Sequence, residues 1–103
     1  MSDATRIPPT LEDLRARREE IVRLAEQHGA FNVRVVGSVA RDEATPDSDV
    51  DLLMTISPQR SVFDLVGLWL DMQALLGCAV SIIPDSAPDE AFMQAVLEDA
   101  VPL

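Results

Sequence analysis

Two aspartates, Asp49 and Asp51, lie two residues apart in a segment that is otherwise apolar, with Val50 between them and Leu52-Leu53-Met54 after them. Alternate residues of a β-strand project from the same face, so the two carboxylates would lie side by side while Val50 points into the core. Adjacent like charges oppose folding unless a cation lies between them. Magnesium prefers oxygen ligands and is often held by one or two carboxylates together with substrate phosphates. The pair therefore predicts a magnesium site.

A second motif, Gly37-Ser38, is followed by ten residues and then by Asp49. It directly follows a Val-rich segment, where a strand would end and a helical turn begin. Glycine lets the backbone approach a ligand closely, and the N–H groups that open a helical turn favour an anion such as phosphate. Either motif alone is common, as a turn or as a solvated strand end. Together they predict a site for metal-assisted phosphoryl or nucleotidyl transfer.

The elements that must position these groups alternate along the chain. Apolar spacing, capping residues and turn residues predict a helix from about Leu11 to His28, a strand from Phe31 to Val36 and a helical turn from Val39 to Glu43. After a loop over 45–48, they predict a strand from Asp49 to Ile56 and a helix opened by Ser61 and Asp64 and closed by Gly77. A strand from Cys78 to Ile83 follows, and then a last helix with Pro88 in its first turn and its end near Ala100. This alternation predicts an α/β layer structure. We expect residues 1–9 to be a flexible leader and residues 10–103 to form a single domain.

Composition narrows the classes of function. The 103 residues are 48% hydrophobic and carry a net charge of −10, and every basic residue is an arginine at or before Arg60. Residues 61–103 carry seven acids and no base, which disfavours stable binding to nucleic acid and suits a basic protein partner. The longest apolar run is far shorter than the roughly 20 residues of a membrane span, and the single cysteine, Cys78, permits no internal disulfide. With no signal-peptide pattern at the start, we expect a cytoplasmic protein without membrane association.

The combined pattern resembles the DNA polymerase β-like nucleotidyltransferase superfamily, and in particular its minimal nucleotidyltransferases. The residues that carry the resemblance are Val36-Gly37-Ser38-Val39-Ala40-Arg41-Asp42-Glu43 and Ser48-Asp49-Val50-Asp51-Leu52-Leu53. Further similarity lies in the segments 63–68, 75–77 and 97–103, so the resemblance covers about residues 10–103. It implies a nucleotidyltransferase fold, with a small mixed sheet of about three strands packed against about four helices.

The resemblance also implies a function. Minimal nucleotidyltransferases are often antitoxins that use ATP and Mg²⁺ to transfer AMP to a tyrosine of a HEPN-domain ribonuclease toxin, which neutralises it. Carried over to this chain, Asp49 and Asp51 would be the catalytic, metal-binding residues. Gly37, Ser38 and Arg41 would bind the nucleotide. A homodimer and a hetero-oligomer with the toxin both stay open.

Two positions depart from the family pattern. Ser81 occupies the position where a third carboxylate is usual, and Asp42 stands where glycine is usual, which would add negative charge near the phosphates. Asp85 lies four residues beyond Ser81, roughly 13 Å along an extended strand, and we do not expect it to substitute. These departures favour an alternative function, that of a degenerate nucleotidyltransferase that neutralises its partner by binding only. A transferase acting on a small molecule is a weaker alternative, because such relatives usually carry an added domain.

Other residues have ordinary structural interpretations. Arg41 could simply pair with Glu43 or Asp42 on the surface, and His28 favours a helix C-terminus. Core packing is the default for Cys78 and for the apolar side chains of the last two helices. The residues concerned are Phe63, Trp69, Met72, Phe92, Met93, Val96 and Leu97. A helix as apolar as the one after Ser61 could also face a partner.

Overall fold

The structure is a computed structural model that describes residues 9–45, 48–86 and 89–103. Its elements, in chain order, are α1 (Leu11–Ala16), α2 (Arg18–Gln27), β1 (Ala30–Val36), α3 (Gly37–Ala40), β2 (Val50–Ile56), α4 (Val62–Leu76), β3 (Val80–Pro84), α5 (Glu90–Asp99) and β4 (Val101–Pro102). The predicted α/β fold is therefore confirmed. Residues 1–8 of the predicted leader over 1–9, residues 46–47 of the predicted loop over 45–48, and the predicted helix-opening residue Pro88 lie outside the described residues.

The sheet has the strand order β3-β2-β1-β4. Strand β2 runs antiparallel to β1 and parallel to β3, so the sheet is mixed as predicted. In this register Asp51 is the partner of Val36 on one side and of Ser81 on the other. The end of β1, the start of β2 and the start of β3 consequently meet in one row across the sheet.

Strand β4 was not among the predicted strands. It consists of Val101 and Pro102, which pair antiparallel with Val35 and Arg34 of β1. A two-residue strand has no periodicity to detect in a sequence, and its existence depends on a long-range pairing. The Arg15 guanidinium donates a hydrogen bond to the Pro102 carbonyl at 2.8 Å, which fixes the end of the chain against α1.

The first predicted helix is wrong in its continuity, because it is divided at Arg17 into α1 and α2. Thr10 and Asp13 form the predicted capping box at its start. Arg17 leaves helical geometry (φ −108°, ψ 21°), and its guanidinium donates to the Leu75 carbonyl at 2.8 Å. That carbonyl belongs to the last turn of α4, whose final carbonyls have no partner within the helix. A tertiary contact therefore accompanies a break that local spacing does not reveal.

Both faces of the sheet are covered. The larger core lies between one face and helices α2 and α4, with Ile21, Leu52, Leu68 and Met72 fully buried. The smaller core lies on the opposite face, where Met93 of α5 packs with Val36, Leu53 and partly buried Ile83. Asp51 projects from this second face, since it alternates with the buried Leu52.

Helix α4 begins and ends as predicted. Ser61 and Asp64 form a capping box, and the hydrogen bond from the Ser61 backbone is the main reason why the pKa of Asp64 is lowered. Gly77 ends the helix in the left-handed conformation with φ +69°. No helix among the described residues is both long enough and apolar enough to cross a membrane.

Several predicted core residues lie at the surface instead. Phe63 is 86% exposed, Trp69 is 40% exposed, and Phe92 and Leu97 are also exposed, whereas Met72 and Met93 are buried as expected. The reason is geometric: a helix packed on one face of a sheet buries only one stripe, and α4 and α5 are apolar over more than that stripe. Cys78 is half-buried and packs against the larger core, just before β3.

Candidate active site

Asp51 lies at the centre of the site, at the second position of β2 and half-buried between β1 and β3. Its pKa is raised, first because burial removes water from the carboxylate and then because the charge of Asp49 lies close by. A hydrogen bond from the Ser81 hydroxyl and the charge of Arg41 oppose this shift. Burial and the charge of Asp49 outweigh these two contributions, so ionisation of Asp51 is disfavoured in the folded protein.

Asp49 precedes β2 and is exposed, so its carboxylate is open to solvent beside Asp51. The described residues contain no cluster of three or more Asp, Glu, His or Cys side chains that could enclose a metal ion. Two carboxylates with an adjacent serine hydroxyl nevertheless form a donor set of hard oxygen atoms. This set fits Mg²⁺ held by two protein carboxylates, with substrate phosphates and water as the other ligands.

Gly37 is pressed directly against Asp51. Its φ is +74°, and a Cβ atom at this position would lie 3.3 Å from the Asp51 Cγ and well inside contact distance of Oδ2. Glycine is therefore required on two counts, the backbone conformation and the space. The turn continues through Ser38, whose carbonyl accepts a hydrogen bond from the Glu43 amide at 2.8 Å. The structure thus brings the predicted Gly37-Ser38 motif to the predicted carboxylate pair.

Arg41 forms the predicted surface ion pair and a second one that the sequence did not suggest. Its Nε donates to Glu43 at 2.9 Å, and its Nη1 donates to Asp99 of α5 at 2.6 Å. These two hydrogen bonds raise the pKa of Arg41, Glu43 first and Asp99 second. Since Arg41 also lowers the pKa of Asp51 through its charge, it lies close enough to stabilise further negative charge at the site.

Ser81 lies where the family pattern has its third acid. It is the register partner of Asp51 on β3, and its hydroxyl donates to the Asp51 carboxylate. Asp85 does not replace that acid, because it accepts hydrogen bonds from Thr55 and, at 2.8 Å, from Arg34.

Asp42 adopts a positive φ of +59°, which accounts for the usual glycine at this position. Its side chain is exposed and lines a cavity with Thr10, Leu11 and Arg15 of the α1 region. Asp42 is not one of the described residues that line the cavity beside Asp51.

A cavity of about 430 Å³ opens beside Asp51 and Gly37. Its other walls include Ser81 on β3 and Phe92, Val96 and Asp99 on α5. Sequence analysis did not assign Asp99 a role. The only signal was the likeness of segment 97–103 to the close of the family, which carries no information about the contact with Arg41.

A glycine turn, a carboxylate pair and an adjoining cavity on a small mixed sheet are together typical of nucleotidyl-transfer proteins. The model of the nucleotidyltransferase domain family matches residues 15–99. Helices α2 to α5 and both motifs lie inside that range.

Two curated proteins are similar over most of the chain. "Protein adenylyltransferase MntA" of Thermococcus cleftensis is 33% identical over 96 residues, which cover 89% of this chain and 94% of that protein. The second protein is from Methanocaldococcus jannaschii and is provisionally named a protein adenylyltransferase. It is 27% identical over 84 residues, which cover 82% of this chain and 90% of that protein.

A solved structure described as a provisionally assigned minimal nucleotidyltransferase superimposes with a TM-score of 0.80. It is 45% identical, and the match covers 91% of this chain and 96% of that chain. The chain belongs to the nucleotidyltransferase domain family, and its fold is that of a minimal nucleotidyltransferase.

Proposed function

We propose that this protein transfers AMP from ATP, with Mg²⁺, to a tyrosine of a cognate HEPN-domain ribonuclease toxin and thereby acts as its antitoxin in the cytoplasm. The observation that carries the proposal is the contact between the Gly37 backbone and the Asp51 carboxylate, because it joins a phosphate-binding turn to a metal-binding pair. The names of the two curated relatives supply the reaction, adenylyl transfer to a protein. The HEPN toxin and its tyrosine come from the family resemblance alone.

In this proposal the turn at Gly37 and Ser38 receives the phosphates of ATP, and Arg41 contributes positive charge beside them. Asp49 and Asp51 hold the metal. Bound magnesium would polarise the α-phosphate and neutralise charge that develops on the departing pyrophosphate. The acceptor oxygen forms a bond to the α-phosphorus, the bond to the bridging oxygen breaks, and pyrophosphate leaves with that electron pair.

Ser81 limits this chemistry. A carboxylate at this position could accept the proton of the acceptor hydroxyl, whereas a serine hydroxyl is a poor base near neutral pH. The Ser81 hydroxyl instead donates to Asp51. We expect the proton to pass to solvent, and the transfer to be slower than in a variant with a third acid.

The test is the intact mass of the protein encoded beside this chain, after incubation with this chain, ATP and Mg²⁺. The expected result is a mass gain of one or more AMP groups. The double variant Asp49→Asn, Asp51→Asn is the control, since each substitution removes a charge and keeps the side-chain shape. Transfer that persists in a folded double variant would contradict the metal-binding role of this pair.

One observation favours an alternative function: the register partner of Asp51 is a serine rather than an acid. On this alternative the chain neutralises its partner by binding alone. It predicts no mass gain, a stable complex, and suppression of the partner's ribonuclease activity that the double variant retains.

A further inference from the structure

A second apolar concavity lies at the free edge of the sheet, between α4 and β3. We call it the edge groove. It has a volume of about 480 Å³, and Leu65, Val66, Trp69 and Gln73 of α4 form one wall, with Val80 and Ile82 of β3 as the other. Asp49 and Ser81 also line it, so it opens onto the candidate active site.

The α4 wall of the edge groove continues into a wider apolar surface. Val62 is 72% exposed, Val66 is 44% exposed, and Leu70 is also exposed. These residues are spaced at i, i+4 and i+8, so they lie on one face of α4. Apolar side chains that cluster on one exposed helix face, rather than being scattered singly, are typical of an interaction site.

The strand edge beneath this wall is partly capped. The Trp69 Nε1 donates to the Val80 carbonyl at 2.6 Å, and the Gln73 Oε1 accepts from the Val80 amide at 3.4 Å. These side chains occupy the backbone groups that an added strand would use at Val80. Backbone pairing with Val80 is therefore blocked, and at this position an occupant of the edge groove is recognised by its side chains.

The strand order places the edge groove on the β3 side of the two carboxylates, opposite the Gly37-Ser38 turn. Gly37 and Ser38 lie at the end of β1, the carboxylates lie on β2, and β3 is on the far side of β2. In phosphoryl transfer the attacking oxygen approaches opposite the leaving group. If the pyrophosphate departs on the β1 side, the acceptor hydroxyl enters from the β3 side, which is where the edge groove meets Asp49.

The charge of the chain indicates what kind of segment the edge groove would bind. The chain carries a net charge of −10, and residues 61–103, which supply most of the groove, contain seven acids and no base. Of the described residues that line the groove, Asp49 alone is charged. A segment with apolar side chains in its centre and basic side chains at its flanks complements both features.

We infer that the edge groove seats an extended segment of the acceptor protein, apolar at its centre and flanked by Arg or Lys, and directs its hydroxyl to the site at Asp49 and Asp51. This inference rests on the proposed function for the reaction, but the binding of the segment is independent of catalysis. A second copy of this chain is the competing occupant, and it fits less well because two copies would both bring negative charge to the interface.

The experiment uses two fluorescein-labelled peptides with the same Leu-Ile-Tyr-Leu centre, one flanked by three arginines at each end and the other by three glutamates. Binding is measured by fluorescence anisotropy to the whole chain and to the variants Val66→Arg and Leu97→Arg. Leu97 is the matched control, because it is 49% exposed on α5, outside the groove, and receives the same introduced side chain and the same change of charge. Circular dichroism checks folding, and Val66→Ser replaces Val66→Arg if the latter does not fold.

We expect the arginine-flanked peptide to bind at least about tenfold more tightly than the glutamate-flanked one, and Val66→Arg to weaken it by about tenfold. Leu97→Arg should change binding by less than about twofold. Binding that is absent, or equally affected by both variants, would overturn the inference. So would a concentration-dependent dimer in sedimentation that Val66→Arg abolishes, since the groove would then bind a second copy.

Label transfer from α-³²P-ATP to the toxin separates the two proposals. Peptide binding that depends on Val66, without any label transfer, supports the groove and contradicts the proposed adenylyl transfer. Label transfer that is unchanged by Val66→Arg supports the proposed adenylyl transfer and contradicts the role of the edge groove.

Discussion

Replacement of Gly37 by alanine tests the contact on which the proposed site depends. Gly37 has a φ of +74°, and an alanine Cβ would collide with the Oδ2 of Asp51. A non-glycine residue in this conformation costs about 1–2 kcal/mol of stability. The carboxylate oxygen is the end of a side chain and can move away at little further cost, but it then leaves the position from which it would hold the metal.

Gly77 provides the matched control for this substitution. Its φ is +69°, and a Cβ atom there would have nothing within 4 Å. Gly77→Ala should therefore carry the same backbone cost of about 1–2 kcal/mol without touching the site. The two variants should differ in stability by less than about 1 kcal/mol, because only the movement of one side chain separates them.

The two variants should differ strongly in activity. A displacement of about 1 Å at a reacting group can cost about 10²-fold in rate, equivalent to about 2.7 kcal/mol. Urea unfolding gives the stabilities, and the initial rate of AMP transfer to the partner protein gives the activities. If Gly37→Ala transfers AMP nearly as fast as Gly77→Ala, the contact with Asp51 has no catalytic importance and the assignment of the site is wrong.

Three further predictions concern charge and hydrogen bonding. In metal-free buffer, Asp51→Asn should raise the free energy of unfolding at pH 7, because the raised pKa of Asp51 means that its ionisation opposes folding. This gain in stability should disappear as the pH falls through the folded-state pKa to below the ordinary value of 3.8, because the Asp51 carboxyl is then protonated in both the folded and the unfolded state. A gain that is the same at every pH would show that the ionisation of Asp51 is not its cause. Ser81→Asp should increase AMP transfer by about 10²-fold or more, the usual contribution of a positioned base, and a folded variant without any increase would contradict the placement of residue 81 at the reacting groups. Trp69→Phe should lower the free energy of unfolding by about 1 kcal/mol through loss of the hydrogen bond to Val80, and an unchanged urea midpoint would show that this bond is not formed in solution.

The fold class and the site motifs could be predicted from the sequence because they depend on local chemistry. Periodicity and turn residues gave the order of helices and strands, and the capping pairs at Thr10 and Ser61 fixed two helix starts within a residue. The spacing of Asp49 and Asp51 placed both near the same face of a strand. These signals extend over a few residues, and the physical reason for each is complete within that span.

Other features required the folded chain, because they depend on residues far apart in sequence. The break at Arg17 coincides with a hydrogen bond from its guanidinium to a carbonyl 58 residues away. Strand β4 exists only by pairing with β1. The contact of Arg41 with Asp99 likewise joins α5 to the turn after β1.

The sequence by itself determined which groups are available: a glycine turn, two aspartates, one serine where an acid is usual, and a strongly acidic second half. The tertiary structure decided how they meet. It pressed Gly37 against Asp51, set Ser81 beside the same carboxylate, and left the apolar wall of α4 open at the edge of β3. The reason is that chemical type is a property of each residue, whereas distance, burial and free surface are set by strand order and by which face of each helix packs against the sheet.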